Sequence, residues 1–269
     1  MDNKREKLTK AMRWEIADML AEERLPAINA RFAPVSFTES FYTKYGKRLI
    51  DIVLSLIAVV ISLPVNIIIG IITVFDVGFP IFFTQERIGK NGKTFRIIKF
   101  RNMKDTHDEH GELLPPDKRV TKWGKIVRKT SLDELLNFYS VLKGDMSIIG
   151  PRPLVPQYMS RYSDRHLARY YVKPGLECPP RAFDKPLRTW NDQFENDVWY
   201  VQNVSFKTDL IQVVNLIRFT FDRKNTTVRA NAIRGDFMGY DIQGKAINLA
   251  EVPDTYIDMV IKRHQEEEI

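Results

Sequence analysis

An Asp-Glu pair in the middle of the chain has the residue types best suited to chemistry. Asp133 and Glu134 follow Ser131, and basic residues flank them on both sides. One interpretation is a structural capping box, in which Ser131 caps a helix over residues 132–142 and Glu134 bonds back to the Ser131 amide. The other places Asp133 in the first helical turn, where the helix dipole and free amides keep its carboxylate ionised. An ionised carboxylate near phosphate-binding cations is what a carboxylate nucleophile requires.

Basic residues near this pair are candidates for binding phosphate. Arg128 precedes the pair, and Arg152 follows it between two prolines. Lys99 and Arg101 alternate along a predicted strand, so both side chains are expected on one face of it. A solvated or lipid-facing basic edge is the simpler interpretation of that strand, and both roles are compatible.

Asp197, which precedes a Trp-Tyr pair, is a weaker candidate for binding a nucleotide or sugar group. An acid on a helix surface is its simpler interpretation. The sequence contains no Walker loop, no G-x-G-x-x-G motif and no His-rich metal site. A Mg²⁺ ion held by one or two carboxylates and by substrate phosphates would leave no stronger trace than Asp133 and Glu134.

An uncharged apolar run precedes these residues and predicts a membrane segment. Residues 52–75 contain no Asp, Glu, Lys, Arg or His, and about 20 apolar residues are enough to cross a bilayer. Both flanks are basic, and basic flanks favour the cytoplasmic side. We therefore expect a segment that enters the membrane, bends at Pro64 and leaves by the same face. An ordinary kinked transmembrane helix is the alternative, and in either case Ser62 and Asn66 are expected to supply hydrogen bonds near the proline.

The remaining sequence predicts mostly helices and one small β-hairpin. An amphipathic helix is expected over residues 4–24, ended by Pro26 and Pro34, either docked on the main domain or used for membrane or subunit contacts. Strands are predicted at residues 80–85 and 94–100 around a Gly89–Gly92 turn. Further helices are predicted at the following positions: residues 155–171, 190–200 and 205–221.

Composition restricts the functional classes. The chain has 269 residues, of which 28% are charged and 44% are hydrophobic. This length is enough for one sizeable hydrophobic core plus additional segments, and the composition is ordinary for a globular protein with one membrane segment. Its net charge of +7 suits nucleic acid, anionic lipid or phosphorylated substrates. No nucleic-acid recognition motif is present, so we expect no nucleic-acid partner. The single cysteine, Cys178, excludes an intrachain disulfide and a cysteine zinc cluster, and it fits a reducing cytosol.

Short motifs occur in a fixed order along the middle of the chain. They are Lys47-Arg48-x-x-Asp51, Gln85-Glu86-Arg87-Ile88-Gly89, Lys99-Phe100-Arg101-x-Met103, Arg128-Lys129-Thr130-Ser131-Leu132-Asp133-Glu134-Leu135, Lys143-Gly144-Asp145-Met146-Ser147-Ile148-Ile149-Gly150-Pro151-Arg152-Pro153 and Pro174-Gly175-Leu176. Over residues 46–221 the chain resembles the bacterial sugar transferases that begin glycan assembly on polyprenyl phosphate, the monotopic phosphoglycosyl transferases. Each motif is weak alone, whereas the ordered set is specific.

This resemblance implies an activity and a site. It implies transfer of a sugar-1-phosphate from a UDP-sugar to polyprenyl (undecaprenyl) phosphate, with release of UMP, through a covalent phosphosugar-aspartate on Asp133. It implies a catalytic dyad of Asp133 and Glu134 that also holds Mg²⁺, and a re-entrant helix broken at Pro64. The expected role is the first step of bacterial surface glycan synthesis. A non-catalytic membrane scaffold of the same fold, used to assemble glycosyltransferases, is the alternative function.

The resemblance also sets the expected fold class, location and domains. The fold class is α/β, mostly helical, with a re-entrant membrane helix and a cytosolic catalytic domain that carries amphipathic interfacial helices. The expected location is the cytoplasmic face of the bacterial inner membrane, and homo-oligomers or downstream glycosyltransferases are further partners left open. The predicted segments are an N-terminal extension (1–45), the membrane helix (46–79), the catalytic domain (80–221) and a C-terminal extension (222–269).

Two positions depart from the family pattern. Leu63 stands directly before Pro64, where the family often has Ser. After Leu176, where the family usually continues Thr-Gly, this chain has Glu177-Cys178-Pro179-Pro180-Arg181. That loop is expected to help define the sugar, so Arg181 is a candidate substrate contact, and the same departure motivates the scaffold alternative.

Overall fold

The structure is a computed structural model that describes residues 4–107, 114, 116–181, 187–221 and 234–267. The described part is mostly helical, with three small two-stranded sheets, which fits the predicted α/β class. The helices are α1 (Lys10–Arg31), α2 (Lys47–Val77), α3 (Pro116–Arg119), α4 (Lys122–Lys129), α5 (Asn137–Lys143), α6 (Asp164–Leu167), α7 (Trp190–Asn203), α8 (Phe206–Phe221) and α9 (Asp254–Glu267). The strands are β1 (Phe82–Ile88), β2 (Thr94–Phe100), β3 (Ser147–Ile149), β4 (Gly175–Glu177), β5 (Phe237–Tyr240) and β6 (Ala246–Asn248).

Helix α2 contains the apolar run. With the π-helical turn before it, this helix is long and apolar enough to cross a membrane, and no second helix in the described ranges meets that test. Its helical conformation continues through Pro64 instead of ending there. Ser62 Oγ donates to the Val59 carbonyl at 3.3 Å, and Asn66 Nδ2 donates to Ser62 Oγ at 3.2 Å. The expected polar contacts near the proline are therefore present. Pro64 has no N–H to donate to the Val60 carbonyl, and Ser62 donates to the neighbouring Val59 carbonyl instead of to that one.

The N-terminal end of α2 packs against α5 and β3. Arg48 donates to the carbonyls of Val141 and Leu142, at 2.6 and 2.7 Å. Asp51 accepts hydrogen bonds from Ser147 Oγ and the Ile148 amide, both at 3.0 Å. These contacts join the Lys-Arg-x-x-Asp motif to the segment that precedes Arg152.

The C-terminal end of α2 packs against the β1–β2 hairpin and α4. Thr121 Oγ1 donates to Asp76 Oδ2 at 2.5 Å. Arg101 donates to the Val77 carbonyl, and Ile69 lies in an apolar cluster with Phe100. Both ends of the apolar helix thus contact elements of the domain that follows it in sequence.

The β-hairpin forms where the sequence predicts it. Strands β1 and β2 pair antiparallel, from Phe82 opposite Phe100 to Ile88 opposite Thr94. The second strand has the predicted bounds, and the first extends three residues beyond the predicted Gln85. Asn91 adopts a left-handed conformation (φ 57°) that closes the turn, as Asn tolerates better than most residues.

Two helical segments differ from their predictions. The first helix is present, but it begins at Lys10 instead of residue 4 and continues past Pro26 to Arg31, because residues beyond this proline, such as Ile28, are buried in the core. Residues 155–171 form two 3₁₀ segments and the short helix α6 instead of one helix. Tertiary packing of buried side chains outweighs local propensity in both segments.

The two ends of the chain fold together into one accessory unit, made of α1, β5, β6 and α9. Its apolar core is Leu8, Ile16, Ala17, Leu20, Met238, Ile247, Val252, Ile257 and Val260. The apolar face predicted for the first helix is therefore packed against the rest of the protein. This confirms the interpretation of a docked helix. Phe237 joins this unit to the middle of the chain through an aromatic cluster with Tyr158, Tyr162 and Phe194.

Candidate active site

The Asp133–Glu134 pair lies in a tight connection between α4 and α5. Ser131 adopts a left-handed conformation (φ 55°) and makes no side-chain capping bond, and Leu132–Glu134 form a single 3₁₀ turn. Helix α5 begins only at Asn137. The capping-box interpretation and the helix start at residue 132 were therefore wrong, and Asp133 does not lie at the first turn of an α-helix.

Glu134 is held by two cations. Lys99 Nζ lies 2.8 Å from Glu134 Oε1, and Arg152 Nη2 lies 2.5 Å from the same oxygen. Burial favours the protonated acid, but the charges of Arg152 and Lys99 outweigh burial and hold the pKa of Glu134 below its ordinary value. Glu134 therefore stays ionised and fixes the positions of both cations.

Asp133 has a different environment although it is the adjacent residue. Its side chain is buried, and its closest cation, Lys99 Nζ, lies 4.0 Å from Oδ2. Burial raises the pKa of Asp133, and the charge of Lys99 only partly offsets this. The helix-dipole argument thus gave the wrong direction. Neighbouring carboxylates whose pKa values are pushed apart can take separate chemical roles, and Asp133 is the more basic and the less engaged of the two.

Arg152 connects this pair to a third acid, Glu177. Its Nη1 lies 3.6 Å from Glu177 Oε2, and its backbone carbonyl accepts a hydrogen bond from Arg169 at 2.7 Å. Sequence reasoning placed Glu177 only in an unusual loop. Its parallel pairing opposite Ile149 in the β3–β4 sheet brings it to the site, and that long-range pairing leaves no local signal.

A cavity opens beside Glu134 and reaches the β-hairpin. It is lined by Arg87, Ile97, Lys99, Glu134, Asn137, Met146, Arg152, Pro153, Gly175 and Leu176. Arg87 was not predicted as a site residue, although it lies within the Gln85–Gly89 motif. Burial and the neighbouring charge of Arg152 lower the pKa of Arg87, which indicates crowded positive charge suited to a phosphate group.

The other predicted cations are placed differently. Arg128 Nε donates to Asn102 Oδ1 at 3.1 Å, and its charge acts on Asp133, so it belongs to the edge of the site. Arg101 instead donates to carbonyls at the end of α2 and lies 3.5 Å from Asp105 Oδ2. Strand β2 ends at Phe100, so the expected alternation does not carry Arg101 to the side of Lys99.

Asp197 and Arg181 contact other residues instead of the carboxylate pair. Asp197 is completely buried, with Arg169 Nη2 3.0 Å from Oδ2 and Gln193 Nε2 3.0 Å from Oδ1. The exposed-acid expectation was wrong, and burial raises the pKa of Asp197 to about 6. Its contacts are those of a structural residue that holds Arg169. Arg181 is exposed, and its amide donates to Asn196 Oδ1 at 2.9 Å.

The carboxylate oxygens of the site suit a hard cation such as Mg²⁺ only together with oxygen atoms from a bound substrate. No group of three or more His, Cys, Asp or Glu able to hold a metal occurs within the part of the chain that the structure describes. Asp133 and Glu134 provide two adjacent carboxylates, and Asp133 has no close cation partner. Mg²⁺ binds through one or two carboxylates plus substrate phosphates, so this donor set fits such an ion when a diphosphate is bound.

A long apolar helix packed beside two carboxylates and several cations is the arrangement of a membrane-associated protein that handles phosphate groups. Residues 42–223 match the family described as Bacterial sugar transferase, and the chain belongs to that family. The resemblance read from the ordered motifs is thereby confirmed.

Curated relatives cover this region to different extents. EpsL of Bacillus subtilis (strain 168), called an uncharacterized sugar transferase, is 40% identical over 164 residues, covering 61% of this chain and 81% of its own. A UDP-N-acetylgalactosamine-undecaprenyl-phosphate N-acetylgalactosaminephosphotransferase of Aeromonas hydrophila is 33% identical over 180 residues, covering 64% of this chain and 43% of its own. A UDP-glucose:undecaprenyl-phosphate glucose-1-phosphate transferase of Xanthomonas campestris pv. campestris is 33% identical over 202 residues, covering 71% of this chain and 41% of its own. The chain therefore spans less than half the length of the latter two.

Proposed function

We propose that this protein transfers a sugar-1-phosphate from a UDP-sugar to polyprenyl phosphate, at the first step of bacterial surface glycan synthesis. The observation that carries the proposal is the difference between the two carboxylates, because Glu134 is engaged by two cations and Asp133 is not. The named activities of the Aeromonas and Xanthomonas relatives support undecaprenyl phosphate as the acceptor and a UDP-sugar as the donor.

In the first half-reaction, a carboxylate oxygen of Asp133 attacks the phosphorus that bears the sugar. The bond from this phosphorus to the bridging oxygen breaks, and UMP leaves with that oxygen. Lys99 and Arg152, held in place by Glu134, stabilise the negative charge that develops on the phosphate oxygens. The product is an acyl phosphate that joins Asp133 to the sugar phosphate.

In the second half-reaction, a phosphate oxygen of the lipid acceptor attacks the same phosphorus. The bond to Asp133 breaks, the carboxylate is regenerated, and the sugar diphosphate lipid leaves. Two half-reactions at one carboxylate allow a water-soluble donor and a membrane-bound acceptor to use the same site in turn.

Magnesium has a defined place in this proposal. Asp133 and Glu134 would hold Mg²⁺ together with the diphosphate of the donor. When bound, the ion supplies neutralisation of the charge on the phosphate oxygens. Glu134 keeps its contacts with Lys99 and Arg152 in the structure, so we expect the metal to depend more on Asp133 and on the substrate.

We also propose that α2 is re-entrant and that the catalytic part lies on the cytoplasmic face of the inner membrane. Both ends of α2 contact the same domain, at Arg48 and Asp76, while its middle is largely exposed. Ser62 and Asn66 are buried, and at 100° per residue both lie opposite Pro64. A helix that bends at a proline is concave on the face opposite the proline, so side chains on that face are expected to be buried.

Cysteine labelling tests this topology. Lys44→Cys and Lys93→Cys place exposed thiols before and after α2, whereas the native Cys178 is buried. In sealed vesicles of one orientation, an impermeant maleimide is expected to label both positions from the same side. Labelling from opposite sides would show a simple transmembrane span.

The activity test is a donor panel. Purified protein is incubated with Mg²⁺, polyprenyl phosphate and each of several UDP-sugars, and UMP release is measured together with the lipid product. We expect release with at least one donor, abolished in Asp133→Asn. Absence of UMP and of lipid product with every donor would favour the non-catalytic scaffold.

A further inference from the structure

We propose that a second basic pocket, separate from the carboxylate pair, binds the phosphate group of an anionic phospholipid. The pocket lies at the N-terminal end of α2, and five of its lining side chains are basic: Lys44, Lys47, Arg48, Lys90 and Lys173. Three of its lining residues, Lys47, Arg48 and Asp51, form the Lys-Arg-x-x-Asp motif inside the matched region, and the named activities of the relatives assign no ligand to the pocket.

This pocket and the cavity beside Glu134 are lined by different residues. Ser147 lines the basic pocket and donates to Asp51. The preceding residue, Met146, lines the cavity beside Glu134, and no lining residue is common to the two. The two pockets are therefore distinct sites.

The pocket holds more positive charge than its acids can neutralise. Lys47 pairs with Asp209 at 2.6 Å, and Lys90 pairs with Glu39 at 2.7 Å. The third acid, Asp51, accepts bonds from Ser147 and the Ile148 amide. Five basic side chains and two carboxylates, Glu39 and Asp51, line the pocket. Even with Asp209 counted as the partner of Lys47, an excess of two positive charges remains.

Lys173 is the cation that most needs an anion. It is half-buried, and no salt bridge to it occurs among the described residues. A methyl group placed on Gly144 would lie 3.3 Å from Arg48 Nη2 and 3.5 Å from Lys173 Nζ, so these two cations are close neighbours. Burial and the charge of Arg48 lower the pKa of Lys173. A bound phosphate would relieve this repulsion.

The position of the pocket favours a lipid over a soluble phosphate. Phe41, Tyr45 and Leu49 are exposed and follow one another at four-residue spacing, so they form one apolar face directly before the apolar run. Aromatic residues at such a position lie at the membrane–water interface. Basic side chains beside a membrane segment attract anionic lipid headgroups.

Native mass spectrometry of the full chain in neutral detergent tests the proposal. Phosphatidylglycerol and phosphatidylcholine are titrated separately, with and without excess inorganic phosphate, and in the absence of UDP-sugar, so the result is independent of transfer activity. We expect preferential retention of phosphatidylglycerol that inorganic phosphate does not displace. Lys173→Gln is expected to weaken this binding about fivefold, and Lys44→Gln with Lys173→Gln about 25-fold.

Matched variants separate charge from misfolding. Lys173→Arg keeps the charge and is expected to retain binding, and Lys262→Gln removes a charge from α9, outside the pocket, and is expected to have no effect. Equal retention of both lipids by the wild type, or unchanged phosphatidylglycerol binding in the double variant, would overturn the proposal. Displacement of phosphatidylglycerol by inorganic phosphate would overturn the assignment to a lipid.

Discussion

The active site and the accessory unit are stabilised by different forces. Around Asp133 and Glu134 the contacts are ion pairs between partly exposed side chains, as between Lys99 and Glu134. Around Phe237 the contacts are between aromatic rings, such as that with Phe194 at a centroid distance of 4.9 Å, and Phe237 is 0% exposed. Partly exposed ion pairs contribute little to folding, whereas buried rings contribute several kcal/mol each. Substitutions in the two regions should therefore separate activity from stability.

The largest expected effect is at Asp133. Asp133→Asn removes the proposed nucleophile, and we expect the transfer rate to fall by about 10⁴-fold or more, while the melting temperature stays near that of the wild type. The measurements are UMP release and thermal unfolding of the same preparation. Asp145→Asn is the matched control, because Asp145 pairs with the exposed Lys143 at 2.9 Å and no second salt bridge to it occurs among the described residues. A comparable loss of activity in the control would mean that local charge, not the nucleophile, had been removed.

Arg152 provides the next test of the active-site half of the comparison. Arg152→Ala removes a cation that Glu134 positions near the phosphate, so we expect kcat to fall about 10²- to 10³-fold. Arg152→Lys keeps the charge but loses the geometry that reaches both Glu134 and Glu177, and we expect an intermediate rate. Steady-state kinetics with a saturating donor measures both. Wild-type kcat in Arg152→Ala would remove this residue from the mechanism.

Phe237 tests the contribution of the accessory unit to stability. Phe237→Ala leaves a cavity among several rings, and we expect the free energy of unfolding to fall by about 3–5 kcal/mol, with unchanged activity per folded molecule. Because that variant risks unfolding, Ile257→Val in the same unit is the milder change, with an expected loss of about 0.5–1.5 kcal/mol. Ile242, 83% exposed, is the control position. Chemical denaturation and specific activity are measured together, and a variant that stays folded but loses turnover would break the comparison.

Lys99 gives a pH prediction within the active site. Its charge lowers the pKa of Asp133 against the effect of burial, so Lys99→Met should raise that pKa further. Activity requires the ionised carboxylate, and therefore the acid limb of kcat/KM should move to higher pH. Lys99→Arg should leave the limb near its wild-type position. A pH–rate profile of each variant decides the matter, and a shift to lower pH would contradict the assignment.

Glu195 gives the smallest effect, beside the accessory unit, because its partner His166 stacks on Tyr240. Burial disfavours its charge, but Arg165 and His166 outweigh burial and lower the pKa of Glu195 to about 2. A lowered folded-state pKa adds stability that is present above the ordinary value of 4.5 and is lost as pH falls toward 2. The gap in melting temperature between wild type and Glu195→Gln should therefore narrow as the solution is acidified. A gap that widens in acid would contradict this sign.

Features determined by neighbouring residues could be predicted from the sequence. The Asp133–Glu134 pair, the apolar run and the strand at residues 94–100 are all local patterns, and the structure has each of them. The left-handed Ser131 was missed because its conformation depends on how α4 and α5 are joined. The helix-start interpretation failed at the same point, since an S-x-x-E pattern does not distinguish a cap from a turn.

Features determined by distant pairing could not be predicted. Asp197 is buried because Arg169, far from it in sequence, lies beside it. Glu177 reaches Arg152 through the β3–β4 pairing, and the accessory unit joins residues from the two ends of the chain. The periodicity of apolar residues shows which face of a helix or strand is buried, but it does not show which distant segment packs against that face.

The central claim is that Asp133 carries the sugar phosphate during turnover, and trapping tests it most directly. The wild-type protein is incubated with Mg²⁺ and a UDP-sugar labelled in the sugar, without lipid acceptor, then quenched and digested. We predict that the label is found on the peptide containing Asp133, is released when polyprenyl phosphate is added before quenching, and is absent in Asp133→Asn. Turnover-competent protein that never carries the label on that carboxylate would contradict the account.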